Sequence, residues 1–460
     1  MTDPLSEKKV AVLGFARQGR ALARWLPTIG ARVLVSDDKT AQQLGVNPSD
    51  YPGVDFVLGA HVPDMLDGVD ALCVSGGVPL DLPIVVEAIQ RGIPLTNDAQ
   101  LFMERCPAKV IGITGSAGKT TTTTLTGLIL QEARFKTWVG GNIGDVLLDV
   151  LPQIERDDRV VMELSSFQLE LMTHSPHIGA VLNITPNHLD RHGTMESYLN
   201  AKAHIVDHQV YTDGQVDTAV LGWDDGGSHS LEERIVGRLC WFSALSMVGD
   251  GAFLAGRRLI VVGDSSIEDG DPRVVLERDE IPLRGDHNVL NVLAACAITG
   301  VAGAPVQAMT SVIRGFKGVP HRLEVVRTHE GVTYINDSIA TAPERVLAAL
   351  KSFDEPLVLL LGGRDKKLMW DEMITLAVQK SRHILLFGDA AAMIADVIQR
   401  IVPSFDNYSR ADSLDQAVER ARELALSGDV VLLSPGGTSY DAYVDFAERG
   451  EHFRQLVNSL

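Results

Sequence analysis

The sequence predicts an α/β protein of three domains, with a Rossmann-like domain at each end and a P-loop ATPase-like domain between them. The chain has 460 residues, a length that corresponds to about three domains. Short apolar runs rich in Val, Ile and Leu alternate with helix-length segments, which is typical of parallel sheets. A glycine-rich segment of the phosphate-loop type lies between one such run and the next helix.

The first region predicts a βαβ unit of the dinucleotide-binding kind. Lys9 to Leu13 is predicted to be a buried strand, and Gly14 to Gly19 a turn that opens a helix. The next strand ends in Asp37 and Asp38, about where such folds bind a ribose hydroxyl. Ala16 replaces the middle glycine of the fingerprint. NAD, another nucleotide diphosphate and a turn without a ligand therefore all remain open interpretations.

Two more strands, 55–58 and 70–74, complete the first region. The second leads into S-G-G-V-P, Ser75 to Pro79, a backbone turn that is suited to a ligand. Cys106-Pro107 separates this region from the phosphate-loop strand. We therefore place the first domain boundary after residue 106.

Lys109 to Thr124 carries the phosphate-loop pattern, K-V-I-G-I-T-G-S-A-G-K-T-T-T-T-T. Gly115 and Gly118 allow a tight turn, and a helix that begins at Lys119 adds N–H donors and its dipole. Lys119 supplies a charge for the β- and γ-phosphates, and the Thr120 hydroxyl can ligate Mg²⁺. An isoleucine occupies the first glycine position of G-x-x-x-x-G-K-[ST], so the pattern is the shorter T-G-x-x-G-K-T.

Polar groups follow the next strands of the middle region. A G-G-N-I-G turn spans Gly140 to Gly144, Glu163 ends a strand, and His188 follows the strand Ile178 to Asn183. An acid and a histidine at neighbouring strand ends beside a phosphate loop favour a Mg²⁺–ATP site over ordinary strand-end residues. The next helix contains Lys202.

The rest of the middle region gives less information about function. Residues 213–283 predict short strands with Gly and Asp turns. A helix follows from His287 to Gly300, and it places Asn288 and Asn291 on one face because they are three residues apart.

The last region, which opens at Pro320-His321-Arg322, predicts another parallel sheet. Apolar runs at 323–327, 332–336, 356–361, 383–387 and 429–433 alternate with helical segments. The loops after these runs carry N-D-S-I-A-T, G-G-R-D-K and S-P-G-G-T-S-Y-D. Ligands bind at such carboxyl ends of strands, so these loops predict a second part of the site.

Composition excludes several classes of protein. Apolar residues make up 45% of the chain, which excludes disorder, and the dispersed net charge of −19 argues against nucleic-acid and anionic-membrane surfaces. The four cysteines form neither a disulfide framework nor a zinc spacing, which fits a reducing compartment. No signal-peptide pattern and no apolar run of membrane-spanning length occurs, so we expect a cytoplasmic protein.

Eight motifs, in order along the chain, resemble the Mur ligase family. They are T-G-S-A-G-K-T, G-G-N-I-G, E-L-S-S-F-Q-L-E, H-L-D-R-H-G-T-M-E-x-Y-x-x-A-K, H-N-V-L-N, P-H-R, N-D-S and E-R-G-E-H-F. The resemblance implies an ATP-dependent ligase that adds D-glutamate to UDP-N-acetylmuramoyl-L-alanine through an acyl phosphate and releases ADP and phosphate. It places the enzyme in cytoplasmic peptidoglycan synthesis, and thus in cell wall biogenesis, cell shape, cell division and the cell cycle.

The resemblance also implies how the chain is organised. Residues 1–106 would form a Rossmann-like UDP-sugar-binding domain, 107–319 the central ATP-binding domain, and 320–460 a Rossmann-like glutamate-binding domain. The substrates would be small molecules, with no nucleic-acid or membrane partner, and the enzyme would be a monomer.

Motif positions carry roles over from the family. The implied catalytic residues are Lys119, Glu163, His188 and Lys202. The implied ligands of two Mg²⁺ ions are Thr120, Glu163, His188 and a carbamylated Lys202. ATP would contact Thr114, Gly115, Ser116, Ala117, Gly118, Lys119, Thr120, Asn288, Asn291, Arg322 and Asp337. The UDP-sugar would contact Arg17, Gln18, Asp37, Asp38, Lys39, Ser75, Gly77, Asn142 and Ser165. Glutamate would contact Thr341, Lys366, Ser439, Tyr440 and Phe446.

The chain departs from the family pattern at several positions. Ala117 and Asn187 replace the usual Asn and Asp, and Ile339 and Ala342 replace the usual Lys and Asn of the D-glutamate enzymes. A relative that adds L-glutamate or another amino acid therefore stays open. The sequence also leaves room for an NAD-dependent oxidoreductase, for a non-catalytic nucleotide-binding regulator, and for a ligase of muramoyl tripeptide or folylpolyglutamate.

Overall fold

The computed structural model of the protein describes residues 2–143, 146–212, 214–263, 271–366 and 368–460. The chain divides into two compact units. The large unit comprises Met1–Pro282 and Asp286–Gly315, and the small unit comprises Leu283–Gly285 and Phe316–Leu460. The domain boundaries at 106/107 and 319/320 stay predictions.

The first sheet of the large unit is parallel. Its strands are β1 (Lys9–Leu13), β2 (Arg32–Asp37), β3 (Val54–Leu58), β4 (Ala71–Val74) and β5 (Leu95–Thr96). Its helices are α1 (Arg17–Thr28), α2 (Ala41–Leu44), α3 (Pro83–Gln90) and α4 (Asp98–Met103). The strand order is β3-β2-β1-β4-β5, so the connections change direction between β1 and β4. The carboxyl ends of these two strands therefore border the crevice where such sheets bind ligands.

The second sheet of the large unit has nine strands among the described residues. They are β6 (Lys109–Thr114), β7 (Thr137–Gly141), β8 (Arg159–Glu163), β9 (Ile178–Val181), β12 (Thr218–Gly222), β13 (Arg238–Ser243), β14 (Gly251–Ala255), β15 (Arg258–Val262) and β16 (Arg273–Glu277). A separate hairpin pairs β10 (Tyr211–Thr212) with β11 (Gln215–Val216). The order is β16-β15-β14-β13-β12-β9-β6-β8-β7. β6 thus lies between β8 and β9, which brings the ends of these three strands together.

The helices that belong with the second sheet of the large unit pack around it. They are α5 (Lys119–Glu132), α6 (Leu147–Val150), α7 (Ser166–Leu169), α8 (Leu189–His192), α9 (Met195–Asp207), α10 (Gly226–His229), α11 (Asp286–Val301) and α12 (Val306–Gly315). α5 and α11 pack against each other. That contact places the predicted Asn288 and Asn291 face beside the start of α5.

The small unit has one six-stranded sheet in its described part. The strands are β17 (Glu324–His329), β18 (Val332–Asn336), β19 (Leu357–Gly362), β20 (Ser381–Phe387), β21 (Tyr408–Arg410) and β22 (Val430–Gly436). The helices are α13 (Pro343–Leu350), α14 (Asp371–Lys380), α15 (Ala391–Ile401), α16 (Leu414–Leu424) and α17 (Phe446–Asn458). The strand order is β17-β18-β22-β19-β20-β21.

Continuous apolar runs form the central strands because helices cover both faces of each parallel sheet. Every residue from Val10 to Leu13 is 0% exposed, and so is every residue from Leu357 to Leu361. The predicted α/β class with parallel sheets is therefore confirmed. The four cysteines are free thiols. Within the described part of the chain, no helix is both long and apolar enough to cross a membrane.

Several details differ from the sequence predictions. β17 is antiparallel to β18, and β15 is antiparallel to both of its neighbours, so the sheets are mixed towards their edges. The short edge strand β21 was not predicted. Gly140 and Gly141 belong to β7 instead of the predicted G-G-N-I-G turn, whose last glycine lies outside the described residues. Local sequence patterns predict a strand but not the direction of its neighbour, which depends on distant pairing.

Candidate active site

The phosphate loop connects β6 to α5 at the carboxyl edge of the second sheet. Gly118, the residue before α5, has a φ of +83°, and a Cβ there would lie 2.1 Å from Asn291 Oδ1. Asn183 braces the loop: its carbonyl oxygen accepts from the Ser116 N–H at 2.9 Å, and its Oδ1 accepts from the Ala117 N–H at 2.8 Å. The donors left for an anion are therefore those at the start of α5, where helix N–H groups lack intrahelical partners.

Replacing Gly118 by alanine is expected to weaken ATP binding, because the added Cβ must displace Asn291. The left-handed backbone itself costs about 1–2 kcal/mol for a residue with a Cβ. We expect a lower melting temperature and a higher KM for ATP in a coupled assay. Gly226→Ala is the control, because nothing lies within 4 Å of a Cβ at that position. Unchanged ATP kinetics in Gly118→Ala would contradict the loop geometry.

Lys119 is the first residue of α5, and its ammonium group folds back over the loop. Nζ lies 2.7 Å from the carbonyl oxygen of Gly115 and 3.4 Å from that of Ser116. A carbonyl bond leaves the unit charge of the ammonium in place. A side-chain rotation can therefore exchange these carbonyls for phosphate oxygens, which form stronger charge-assisted bonds.

Glu163 ends β8 directly beside the loop and is only 2% exposed. Its Oε2 accepts from Thr120 Oγ1 at 2.9 Å, and its Oε1 accepts from Asn142 Nδ2 at 2.9 Å. Gly141 has a φ of +99°, and a Cβ there would lie 2.4 Å from the Glu163 carbonyl oxygen. The carboxylate is thus held in one orientation against the first turn of α5. A carboxylate and a hydroxyl are the hard oxygen ligands that Mg²⁺ prefers.

Lys202 projects from α9 to the same loop and is 1% exposed. Its Nζ donates to Thr114 Oγ1 at 3.1 Å and to the Gly115 carbonyl oxygen at 3.0 Å. Burial lowers the pKa of Lys202 well below its ordinary value, the charge of Lys119 lowers it further, and Glu163 acts in the opposite direction. The amine therefore has a much larger neutral fraction than an exposed lysine at the same pH.

His188 lies on the loop after β9, with a φ of +54° immediately before α8. Its ring meets that of Phe167 edge-on, with the centroids 5.1 Å apart. Among the residues that the structure describes, no group of three or more His, Cys, Asp and Glu side chains could hold a metal ion. The predicted metal ligands that lie in contact are Thr120 and Glu163, and phosphate and water oxygens would complete a Mg²⁺ shell.

The predicted UDP-sugar residues begin at the crevice of the first sheet. Gly14 has a φ of +89°, and a Cβ on Gly19 would lie 1.9 Å from the Gly14 carbonyl oxygen, so the turn requires both glycines. Ser75 Oγ donates to that same carbonyl oxygen at 3.0 Å. Gly77 lies exposed on the loop that follows β4. Ala16, which replaces the middle glycine of the fingerprint, does not prevent this close approach of the turn to the helix.

The carboxylate of Asp37 accepts hydrogen bonds from backbone N–H groups in this crevice. It is buried and accepts from the Phe15 N–H at 2.6 Å and the Lys39 N–H at 2.9 Å. Burial raises the pKa of Asp37, but these N–H bonds outweigh burial and hold the pKa below its usual value. The side chains of Asp38 and Lys39 are exposed beside it, and Gln18 is half-buried on α1.

The muramoyl end of the predicted site lies on the second sheet. Asn142 is exposed and donates to Glu163. Ser165 caps α7, where its Oγ accepts from the Gln168 N–H at 3.3 Å. Arg17, from α1, donates through Nη2 to the Gly141 carbonyl oxygen at 2.9 Å. The structure thus brings Arg17, Asn142 and Ser165 to the loops where the first and second sheets of the large unit meet.

The four predicted adenine and ribose residues divide between the two units. Asn288 and Asn291 are in the large unit, and Asn291 Nδ2 donates to Asn288 Oδ1 at 3.0 Å. Arg322 and Asp337 are in the small unit. Asp337 is buried, with Oδ1 accepting from the Leu323 N–H at 3.2 Å and Oδ2 from Ser434 Oγ at 2.7 Å. Burial raises the pKa of Asp337 to about 7.

Four of the five predicted glutamate residues lie on loops at the carboxyl edge of the small unit's sheet. Lys366 Nζ donates to Thr341 Oγ1 at 3.3 Å, so two of them are in contact. Ser439 is buried and Tyr440 is exposed on the loop after β22. Phe446 begins α17, with its ring centroid 6.3 Å from that of His321.

Sequence reasoning missed Arg449, which holds the small unit's loops together. Its guanidinium is 0% exposed and donates to Ser338 Oγ at 3.0 Å, to the Ser338 carbonyl oxygen at 2.9 Å and to the Gly437 carbonyl oxygen at 3.2 Å. Burial lowers the pKa of Arg449 to about 10. The signal was available, because an arginine inside the E-R-G-E-H-F motif on an otherwise amphipathic helix faces inward. Asn183 and Phe167 were also missed, and no local pattern distinguishes them.

Comparisons with known proteins give independent information on the family of this chain. Models of the Mur ligase family match three segments: a MurD-like N-terminal domain at 8–97, a middle domain at 113–299 and a glutamate ligase domain at 321–437. Two relatives bear the name UDP-N-acetylmuramoylalanine--D-glutamate ligase. The one from Clostridium botulinum (strain Okra / Type B1) is 37% identical over 100% of this chain and 98% of its own. The one from Symbiobacterium thermophilum is 40% identical over 99% and 98%.

Solved structures show the same fold at lower identity. The UDP-N-acetylmuramate-alanine ligase MurC of Thermotoga maritima aligns over 98% of this chain and 99% of its own, with a TM-score of 0.57 and 18% identity. Three family models match the chain, and relatives at 37% and 40% identity match it along its whole length. In the structure, the side chains of Lys119, Glu163 and Lys202 meet at one phosphate loop. The chain belongs to the Mur ligase family.

Proposed function

We propose that this chain is the ATP-dependent ligase that joins D-glutamate to UDP-N-acetylmuramoyl-L-alanine in cytoplasmic peptidoglycan precursor synthesis. The relatives from Clostridium botulinum and Symbiobacterium thermophilum support the substrates, since they match the chain from end to end. The observation in the structure that carries the proposal is the meeting of Lys119, Glu163 and Lys202 around the first turn of α5. Such a set suits transfer of a phosphoryl group from ATP to a carboxylate.

The site fits a Mg²⁺–ATP complex. The Thr120 hydroxyl and the Glu163 carboxylate already lie 2.9 Å apart. These two residues would hold Mg²⁺, which supplies charge neutralisation on the phosphates. The N-terminus of α5 would receive the phosphates and Lys119 would balance their charge. Adenine and ribose are assigned to Asn288, Asn291, Arg322 and Asp337, which match the family's positions.

Lys202 suits a carbamate better than an ammonium ion. Its neutral amine can attack CO2, lose one proton and become an N-carboxylate with a single negative charge. Compared with the ammonium form, the carbamate places no positive charge beside Lys119, and it provides an oxygen ligand near Glu163. We therefore propose a carbamylated Lys202 and a second Mg²⁺ ion that this group and His188 help to hold.

The chemistry requires activation, because a carboxylate and an amine do not condense in water. The alanine carboxylate of the UDP-sugar is first phosphorylated, and the amine of glutamate then displaces phosphate from the acyl phosphate. Lys119 stabilises charge on the transferred group, and Asn142 and Ser165 orient the muramoyl end. Most of the rate comes from positioning, so closure of the glutamate-binding region over the substrates should matter.

The three predicted regions receive one substrate each in this proposal. Residues 1–106 take the UDP-sugar, 107–319 take ATP, and 320–460 take glutamate. The enzyme acts as a monomer on small molecules. Its activity serves the cell wall, and through it cell shape and cell division.

Lys366 is the cation that we assign to the side-chain carboxylate of glutamate. A half-buried carboxylate that loses its charged partner costs about 2–5 kcal/mol. Lys366→Ala should therefore raise the KM for glutamate at least about tenfold and leave the KM for ATP within about a few fold.

Arg364 provides the matched control for Lys366. It is two residues away but is engaged with Asp389 in an exposed ion pair of 3.0 Å. Arg364→Ala should leave the KM for glutamate near that of the unmodified enzyme, and Ile339→Lys should change activity little. Equal effects of Lys366→Ala and Arg364→Ala would remove Lys366 from the glutamate site.

The second candidate is a ligase of the same type that uses L-glutamate. Ile339 and Ala342 favour it, because both lie where D-glutamate enzymes usually carry Lys and Asn. Omission experiments test the proposed reaction itself. ADP should form only when ATP, Mg²⁺, UDP-N-acetylmuramoyl-L-alanine and glutamate are all present, and the product mass should equal the sum of the two substrates less one water. Binding of NAD without ATP turnover would favour the oxidoreductase instead.

A further inference from the structure

Two arginines join the loops of the two sheets in the large unit, and they do so reciprocally. Arg17 follows the first strand of the first sheet and donates to the carbonyl oxygen of Gly141 on the second sheet at 2.9 Å. Arg191 lies on α8, which follows β9 of the second sheet, and donates through Nη1 to the carbonyl oxygen of Gly77 on the first sheet at 3.3 Å. Arg17 already has a predicted role with the UDP-sugar, whereas Arg191 has none.

Arg191 is held in place from one side by aromatic rings. Its guanidinium carbon lies 4.8 Å from the centroid of the Phe167 ring. The imidazole ring of His192 stacks on the ring of Phe167, with the centroids 5.2 Å apart and the ring planes at 5° to each other. His192 is buried, and its Nε2 is 2.9 Å from Ser166 Oγ. The aromatic ring that packs against Arg191 is therefore held by α7, the helix that begins directly after Ser165.

The charge of Arg191 has no carboxylate at ion-pair distance among the described residues. Burial raises the pKa of Glu170, and the nearby charge of Arg191 partly offsets that rise. The ion pair that the structure describes for Glu170 is with His192, whose Nδ1 lies 4.0 Å from Glu170 Oε2, and none of the described ion pairs includes Arg191. The residue is exposed, and its long bond to Gly77 goes to a neutral carbonyl. The guanidinium of Arg191 is therefore available to bind an anionic ligand.

We propose that Arg191 binds the diphosphate of the UDP-sugar, an inference that rests on the proposed function. The uridine end is assigned to the first sheet, at Asp37, and the sugar end to Asn142 and Ser165 on the second. The diphosphate links the two ends, so it must pass the boundary that Arg191 bridges. A planar guanidinium can donate two parallel bonds to phosphate oxygens and can exchange its bond with Gly77 for them.

A comparison of UDP with uridine tests this role, since the two ligands differ only in the diphosphate. Calorimetric titration of the full-length protein gives both affinities. Arg191→Met keeps packing on Phe167 and removes the charge, and Arg191→Lys keeps the charge. Arg156→Met is the control, because Arg156 is an exposed arginine on the loop before β8, at the opposite end of that strand.

We expect Arg191→Met to lower the affinity for UDP at least about tenfold and that for uridine by less than about twofold. Arg191→Lys should retain part of the preference for UDP, and Arg156→Met should change neither affinity. An unchanged ratio of the two affinities in Arg191→Met, or an equal loss of both, would overturn the inference and leave Arg191 as a bridge between loops. Failure of the unmodified protein to bind UDP would instead overturn the proposed function.

Discussion

Lys119→Ala is expected to lower turnover on the order of a thousandfold or more, because it removes the positive charge that the proposed mechanism places beside the transferred phosphoryl group. The folded structure should persist, since the ammonium's bonds to the carbonyl oxygens of Gly115 and Ser116 are local to the loop. Phosphate release at saturating ATP measures the effect, and thermal unfolding checks the fold.

Lys109→Ala is the matched control for Lys119→Ala. Lys109 begins β6 and is exposed, whereas Lys119 follows the other end of the same strand. The control should turn over at the rate of the unmodified enzyme. Near-normal turnover of Lys119→Ala at saturating ATP would remove the phosphate loop from the mechanism.

Lys202→Ala is expected to abolish most activity, and a small carboxylate such as formate or acetate should restore part of it. The physical reason is that the proposed carbamate would present carboxylate oxygens, and a free carboxylate can occupy the space that the truncated side chain leaves beside Thr114 and Gly115. Turnover is measured across a series of carboxylate concentrations, with chloride at matched ionic strength as the reference.

Lys202→Arg separates charge from carbamylation. It keeps a positive charge at the loop but cannot form the carbamate, so it should stay inactive and respond little to added carboxylate. In the unmodified protein, ¹³C-labelled bicarbonate should give a carbamate carbonyl signal that is absent from both variants. An inactive Lys202→Ala that no carboxylate restores, together with no carbamate signal, would assign Lys202 a plain amine role.

Much of the fold was predictable because its strands are continuous apolar runs and its phosphate loop has a short local pattern, T-G-x-x-G-K-T. β1 and β18 begin and end where the sequence predicted, and β8 ends at Glu163 as predicted. The antiparallel direction of β15 and β17 was not predicted, because strand direction depends on pairing with distant segments. Both strands lie at or next to an edge of their sheets, and β15 is separated from β6 by four strands.

The sequence predicted the candidate site as a set of residues but gave no information on the contacts among them. Residue types and spacing predicted Lys119, Thr120 and Glu163, and the structure brings Thr120 and Glu163 to 2.9 Å. The depth of Lys202 was not predictable, because one charged residue on a helix gives no signal of its burial. The hydrogen bond by which Asn183 braces the phosphate loop could not be predicted from the sequence either, because it joins residues that are 66 positions apart.

The central claim is that the chain activates the alanine carboxylate of the UDP-sugar and transfers it to D-glutamate. Phosphate release with ATP, Mg²⁺ and UDP-N-acetylmuramoyl-L-alanine, measured against a panel of D- and L-amino acids, tests it most directly. The account predicts release with D-glutamate and none above background with L-glutamate or the other amino acids. Release with L-glutamate and none with D-glutamate would contradict it.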